Sequence, residues 1–521
     1  MTEMESVNIT LKKNSLLYLK NNIRNLISTY SLFSSCLLGV MGALAFAPFY
    51  FFVVLIPSFC GLLFLLRSVK NIKQAFILGL SFGFGHFAAG TFWVAVSFTK
   101  VGLTYLMPFG IVGFALLLSV FPAIACALTA YYQRNVLQQV LLFSVFWSLT
   151  EWTRGHILTG FPWNFVGYTW DLPMLQVCAW IGIYGLSFLT VLAATIWMAG
   201  SRILMVSTLI VTMALWTAGT YRADKGNALG NTGVNMRIIQ PCVQQEIKWS
   251  PEYAEKNVNL HIALSQLEAE KPLKVIIWPE AAVPLFLETH PQLRDHLKEA
   301  IPSGAYLLTG APRKDSAGLA VWSSLFVLDS QGGISAHYDK THLVPFGEYV
   351  PFRKILPIDK LTPGTMDYSP GSKLETLEVD GIPPFSPLIC YEAIFPGKVI
   401  NPETDPKWLL NITNDAWYGH TSGPYQHLAI VRVRAIEEGM PLVRAANNGI
   451  SAVMDAYGKI LYHLDLNEIG FIDFDLPKAL MYRTFYSTWR EFPFVLMIIA
   501  VTLLGYSTRN IRSSVKTLMN H

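Results

Sequence analysis

Charge is what this 521-residue sequence has least of. Only 14% of its residues are Asp, Glu, Lys or Arg, where globular domains carry roughly 25%. With 52% hydrophobic residues and a mean hydropathy of +0.39, the deficit argues against an ordinary soluble protein and for a membrane protein. The net charge of +4 comes without a dense basic run, so no nucleic-acid signal is present. No Gly-x-Ser-x-Gly elbow, phosphate loop or dinucleotide fingerprint occurs in a fitting context. His337 and His342, and His420 and His427, do not match zinc spacing; neither a metal nor a cofactor is expected. Internal repeats and low-complexity segments are also missing. Cysteine is scarce: Cys36, Cys60, Cys126 and Cys178 lie in or beside apolar runs, and only Cys242 and Cys390 lie elsewhere. A Cys242–Cys390 disulfide is open to such a pair, but it would consume the one plausible nucleophile.

What is present is a segregation of apolar and polar sequence. Charge is sparse from about residue 25 to 220, ordinary from about 225 to 485, and sparse again near 492. A membrane span needs about 20 mainly apolar residues. Spans are expected at roughly Ile27–Ala47, Phe51–Leu66, Ala75–Phe98, Leu106–Tyr131, Val136–Trp152, Val177–Ala199, Ile203–Thr220 and Pro493–Tyr506. The second, fifth and last are short. The architecture expected is an α+β membrane protein of about eight transmembrane helices. Residues 1–220 hold helices one to seven, 221–490 a polar domain inserted before the last span, and 491–521 that span and a tail. Lys12, Lys13, Lys20 and Arg24, then Arg67, Lys70 and Lys73, then Arg134, Arg202, Arg509, Arg512 and Lys516 fall on one side of an even-numbered set. That side should be the cytoplasm. Both termini are then inside and the polar domain faces outward. Arg154 falls on the wrong side. His86 and Glu151 are ionisable residues within spans. Phe161, Trp163 and Trp170, in the outward loop between spans five and six, read first as an interfacial aromatic belt and second as a lipid-access wall.

Within the polar domain, strand and helix patterns alternate. Strands are expected at Met236–Val243, Val275–Trp278, Tyr306–Gly310, Leu388–Cys390, Trp408–Thr413, Leu442–Ala445, Ser451–Met454 and Lys459–Leu464. Ser323–Asp329 and Ile334–Tyr338 flank Ser330-Gln-Gly-Gly333 and form a hairpin. Helices are expected at Pro251–Glu268, Gln292–Ala300 and Tyr425–Glu438. This alternation points to a layered α/β sandwich.

Three strand ends carry chemistry: Trp278-Pro-Glu280, Tyr338-Asp-Lys340 and Leu388-Ile-Cys390. A cysteine attacks as thiolate, and at a free pKa of about 8.5 only a few per cent is ionised at pH 7. Glu280 can serve as its base and Lys340 as the cation for thiolate and oxyanion. The plainer readings are a solvated carboxylate, a surface lysine and a core thiol. His342, close to Lys340, is a lesser candidate for the base. Trp417 and Tyr418 follow a strand and read either as substrate contacts or as a core aromatic pair. Val283–Phe286, Val344–Phe346 and Phe395-Pro396 are apolar loop residues able to exclude water.

Trp278-Pro-Glu280, Lys340 and Cys390-Tyr-Glu392 resemble the Glu-Lys-Cys triad of the nitrilase, or carbon–nitrogen hydrolase, superfamily. Lys340-Thr-His-Leu-Val-Pro-Phe-Gly-Glu-Tyr-Val-Pro351, Cys390-Tyr-Glu-Ala-Ile-Phe395 and Asn411-Ile-Thr-Asn-Asp-Ala-Trp-Tyr-Gly419, with Phe161-Pro-Trp-Asn164 and Ala47-Pro48, extend the resemblance to the bacterial apolipoprotein N-acyltransferases. The resemblance covers essentially the whole chain. It implies a nitrilase-like αββα sandwich on the periplasmic face of the inner membrane, acting as a monomer without a cofactor. It further implies a ping-pong acyl transfer from a phospholipid, typically phosphatidylethanolamine, through a Cys390 thioester to the N-terminal amine of a diacylglyceryl-cysteine lipoprotein. By the same resemblance Glu348 and Glu392 support the site, and Trp249 and Tyr391 line it or its entrance. The alternative is a membrane-tethered amidase or nitrilase that transfers to water.

Overall fold

The computed structural model describes residues 30–355, 360–362 and 366–518, leaving aside the side chains of 227 and 508–518. Lys12, Lys13, Lys20, Arg24, the first residues of span one, and the side chains of Arg509, Arg512 and Lys516 lie outside the described residues.

Each expected apolar segment contains a helix. Among the described residues, four are long and apolar enough to cross a membrane: Ile72–Val101, Thr104–Tyr132, Cys178–Ala199 and Arg202–Asp224. Ser31–Ala43, Phe52–Leu66 and Phe492–Ser507 are apolar but shorter. Val136–His156 is less apolar, with Gln138, Gln139, Glu151 and Arg154 buried on it. Apolar surface alone gives little drive for helices to associate in lipid, so close backbone approach has to supply it. A Cβ on Gly39 would lie 2.0 Å from the Phe82 carbonyl oxygen, and one on Gly83 2.8 Å from the Ser119 Cα. The helices pack at these glycines.

The polar domain consists of two six-stranded sheets. One contains β1 (Asn231–Gln240), β2 (Val275–Ile277), β3 (Tyr306–Lys314), β4 (Val321–Asp329) and β5 (Ile334–Asp339), with β12 (Gly470–Pro477) at the outer edge beside β1. The other runs β11 (Ile460–Leu464), β10 (Ser451–Met454), β9 (Leu442–Ala446), β8 (Trp408–Thr413), β7 (Ile382–Ile389), β6 (Leu377–Val379). β1–β2–β3 and β7–β8–β9 are parallel. Strand alternation sends Met236, Ile238, Val275, Ile277, Leu325 and Val327 of one sheet against Phe385, Ile389, Trp408, Leu410, Val443 and Ala445 of the other. The residues between them face outward. Ile239, Ile276 and Leu307 meet Val258 and Ile262 of helix Pro251–Ser265. Leu388, Leu409 and Leu442 meet Val431 and Ala435 of helix Gly423–Glu438. The layers are therefore helix, sheet, sheet, helix.

Several strands depart from expectation: β6 was not expected, and β7 runs Ile382–Ile389, ending one residue before Cys390. β1 begins at Asn231 and stops at Gln240, because Pro241 has no N–H for the ladder. β12 was not expected; it pairs antiparallel with β1, Met236 opposite Phe474, a partnership across more than 230 residues of chain that no local pattern encodes.

Helix Gly423–Glu438 has a second face. Ile430, Val433 and Ile436 pack with Trp163, Ile183, Tyr184 and Phe188 of the apolar part. The helix is buried nearly all round. Its polar residues are consequently paired: Ile183 N–H donates to Glu437 Oε1 (2.9 Å) where Gly182 (φ 63°) interrupts the preceding helix.

Candidate active site

Glu280, Lys340 and Cys390 come from three strand ends and meet. β2 stops at Ile277, and Trp278-Pro279 turns the chain out of the sheet. Gly310 on β3 holds this turn: its N–H donates to the Pro279 carbonyl (3.3 Å) and its carbonyl accepts from Val283 N–H (3.1 Å). A Cβ on Gly310 would sit 2.5 Å from Ala281 N and 2.8 Å from Glu280 Cα, so only glycine permits the approach. Lys340 follows β5. Its Nζ lies 2.9 Å from Glu348 Oε1 and 3.6 Å from Glu280 Oε1, at 1% side-chain exposure. Cys390 follows β7 with φ at +52°, a strained value for a residue with a Cβ, and opens the tight turn Cys390–Ile394.

The electrostatics follow from burial. Burial raises the Glu280 carboxyl, opposed by the Lys340 ammonium and by a hydrogen bond from the Cys390 thiol. Burial and then the Glu280 charge push the Cys390 thiol up to about 12, against the pull of Lys340. Burial lowers Lys340, but Glu348 and Glu280 more than offset it and hold the ammonium firmly charged. The Lys340 ammonium thus sits between two carboxyl groups, Glu280 and Glu348, with the buried Cys390 thiol beside Glu280.

The two further glutamates have separate tasks. Glu348 accepts from Lys340 through Oε1 and from Val344 N–H (2.8 Å) through Oε2, closing the loop that carries the lysine. Glu392 Oε1 accepts from Tyr338 Oη (2.8 Å), Thr341 N–H (2.7 Å), Thr341 Oγ1 (2.7 Å) and His342 N–H (3.2 Å), while Oε2 accepts from Ile389 N–H (2.7 Å). One buried carboxylate thus ties the lysine loop to the cysteine turn. Tyr391, also buried, donates from its hydroxyl to the Gly160 carbonyl (2.9 Å) of the apolar part. Trp249 is half-buried at the end of the short helix Gln245–Lys248. Trp417 is half-buried on the turn Asp415–Tyr418. From that turn it is the Tyr418 ring that packs on Trp93 (centroids 4.5 Å).

Other expectations change. Trp163 and Trp170 are buried, so neither forms an exposed belt. Trp163 donates from its indole to Gln426 Oε1 (2.8 Å), which Trp93 also reaches (3.1 Å); Trp170 donates to Thr190 Oγ1 (2.7 Å). Arg154 is a buried clamp. It donates to the Phe161 carbonyl (3.0 Å) and the Trp163 carbonyl (2.5 Å), which explains its place on the wrong side of the charge pattern. Among the apolar loop residues, Val283 and Phe395 are core, while Leu285 and Phe346 stay exposed. His342 bonds through Nε2 to the Thr159 carbonyl (2.8 Å) and stacks on Phe395; burial drops its imidazole to about 4. Cys242 and Cys390 are both free thiols.

Sequence reasoning missed a polar network beneath Cys390. Asp415 accepts from Arg444 (2.6 Å) and shares a hydrogen bond with His427 Nδ1 (2.9 Å). Arg444 also donates to Asn411, whose amide donates to the Leu388 carbonyl (3.0 Å). Burial raises Asp415, but Arg444 and His427 more than offset it, leaving it at about 2. It missed Lys248 as well. The available signal was polar residues recurring within apolar stretches, as Gln426, His427 and Arg434 do.

Comparison with known proteins places both halves. Residues 38–196 match the family described as apolipoprotein N-acyltransferase N-terminal domain, and residues 241–486 match carbon–nitrogen hydrolase. The chain is 36% identical over 491 residues to an apolipoprotein N-acyltransferase of Rickettsia prowazekii (strain Madrid E), covering 90% of this chain and 97% of that one. It is 34% identical over 508 residues to one of Bradyrhizobium diazoefficiens, covering 90% and 94%. A crystal structure of an amidase from Nesterenkonia sp. covers 48% of this chain and 92% of its own at 21% identity and a TM-score of 0.36. By the extent of these matches, across the helical part and the sandwich alike, the chain belongs to the apolipoprotein N-acyltransferase family.

Proposed function

We propose that this protein N-acylates lipoproteins, with Cys390 as nucleophile, Glu280 as base and Lys340 as oxyanion partner. The observation that carries this reading is the meeting of the three side chains next to Tyr391, which bonds to Gly160 of the apolar part. Cys390 Sγ attacks the ester carbonyl carbon of a phospholipid, typically phosphatidylethanolamine, as Glu280 takes the thiol proton. With the thiol held near 12, proton removal and attack are coupled rather than sequential. The oxyanion forms against the Lys340 ammonium and backbone N–H groups of the turn after Cys390. Collapse leaves the acyl chain on sulfur, and the lysophospholipid leaves with the proton from Glu280. The α-amine of a diacylglyceryl-cysteine then attacks the thioester, Glu280 accepts a proton again, and the Cys390 thiolate departs, leaving an amide.

Both substrates keep their chains in the bilayer. Extracting one would cost about 0.8 kcal/mol per CH₂, so a site seated on the apolar part avoids that cost. In this reading all eight helices span the inner membrane, both termini are cytoplasmic, and the sandwich (221–490) is periplasmic. A single chain supplies the whole triad, which supports a monomer as the acting unit. Burial of the thiol supports transfer over hydrolysis, since water would intercept the thioester.

The test is intact mass spectrometry of purified protein in detergent with phosphatidylethanolamine and no acceptor. A fatty-acyl adduct on wild type, absent from Cys390→Ala and discharged by a diacylglyceryl peptide, is expected. No adduct on wild type would overturn the nucleophile assignment.

A further inference from the structure

Glu280 is bracketed by two lysines. Lys340 is one. The other is Lys248, whose Nζ donates to the Glu280 main-chain carbonyl (2.7 Å) and which is 4% exposed. A buried lysine is rare unless it is paired, and within hydrogen-bonding distance this one meets a carbonyl oxygen. Its four-residue helix is fixed on three sides. Gln245 accepts from Asn414 (2.7 Å) of the turn after β8. Glu246 pairs with Lys100 (3.0 Å) of the apolar part. Lys248 holds Glu280.

The charge count gives the position a meaning. Glu280 and Glu348 both lie within 4 Å of the single Lys340 ammonium, so two carboxyl groups share one cation. Lys340 also sits closer to Glu348 than to Glu280. The groups facing Lys248 are Glu280, Cys390 and His261. Those facing Glu280 are Lys340, Glu348, Lys248 and Cys390, with the Tyr368 and Tyr418 hydroxyls beyond. Burial brings His261 down to about 4, so it is neutral. Lys248 therefore supplies the second positive charge.

We infer that Lys248 is a positioning residue that holds the Glu280 turn and balances the second carboxylate, so that Glu280 stays ionised and able to accept the Cys390 proton. Burial lowers the Lys248 ammonium to about 8, with Glu280 and Cys390 holding it up, so it keeps its charge at neutral pH. The inference rests on Glu280 being the base.

The sign is fixed. Removing a nearby cation disfavours the carboxylate, so the acid limb of the acylation rate moves to higher pH, by roughly one unit. A purely structural loss lowers the rate at every pH without moving the limb. The experiment follows single-turnover acylation of Cys390 by phosphatidylethanolamine in detergent from pH 5 to 9, with full-length Lys248→Met, Lys248→Arg and Glu280→Gln. The expected result is a limb displaced upward in Lys248→Met and restored toward wild type in Lys248→Arg. A limb unmoved in folded Lys248→Met, yet lost in Glu280→Gln, overturns the role of Lys248 alone. A limb retained in Glu280→Gln overturns the base assignment, and the inference with it.

Discussion

Glu392 is the most informative residue to change without touching the reacting atoms. Its Oε1 faces four donors and its Oε2 one, and all are buried or partly buried. Glu392→Gln keeps the shape but offers only one oxygen. If the amide oxygen takes the Oε1 place, its NH₂ points at the Ile389 N–H, donor against donor. A buried unsatisfied donor costs about 1–3 kcal/mol, and the remaining bonds lose charge assistance, which is roughly half their strength. The sum is on the order of 3 kcal/mol. At about 2–4 °C per kcal/mol for a domain of comparable size, the unfolding midpoint in detergent should fall by roughly 6–12 °C. The Lys340 loop and the Cys390 turn lose their common tether, so thioester formation should fall by about 100-fold or more, as expected when reacting groups shift by an ångström. The opposing consideration is that burial penalises the carboxylate and raises its pKa. If desolvation outweighs the hydrogen bonds, Gln will be neutral or stabilising. An unchanged midpoint with an unchanged thioester rate would refute the argument that Glu392 couples the two elements.

Three further outcomes are expected. With its thiol near 12, Cys390 should alkylate ever faster through pH 9 in the absence of lipid, and Glu280→Gln should speed alkylation at pH 9 while abolishing transfer, because the carboxylate raises the thiol; a plateau near pH 8.5 in wild type would contradict the burial argument. Gly310→Ala places a methyl 2.8 Å from Glu280 Cα and should cut acylation far more than it lowers the unfolding midpoint, measured side by side. Gln426→Leu leaves the Trp163 indole without its acceptor, while Trp93 keeps the Gly90 carbonyl (3.2 Å); one buried unsatisfied donor costs about 1–3 kcal/mol, so the midpoint should drop by several degrees, and a drop below 1 °C would show the contact between the two parts to be incidental.

What could be read locally and what could not divide by range. The strand ends carrying Glu280, Lys340 and Cys390 were legible because each is a short apolar or alternating run closed by a residue able to do chemistry. Helix Gly423–Glu438 was legible in position but not in its surroundings. A helix buried on both faces needs polar pairs such as Ile183 with Glu437, and these depend on a neighbour far along the chain. β12 was open to the same reading, since Ile472-Asp-Phe-Asp-Leu476 alternates, but its partner β1 lies far along the chain and is not encoded there. Trp163 read as a belt residue because an aromatic near a span end has that default use; only packing showed its indole inside, on Gln426.

The sequence by itself determined that the chain has an apolar and a polar part, which residues could do thiol chemistry, and the family those motifs resemble. These rest on composition, on periods of two and 3.6, and on motif spacing, all of which are local quantities. Tertiary structure alone decided that Glu348 and Glu280 share one ammonium, that Glu392 joins two loops, that Arg154 is a buried clamp, and that Lys248 reaches Glu280. Each of these is a charge or donor whose state depends on desolvation and on partners distant in the chain, and desolvation exists only once the chain has folded.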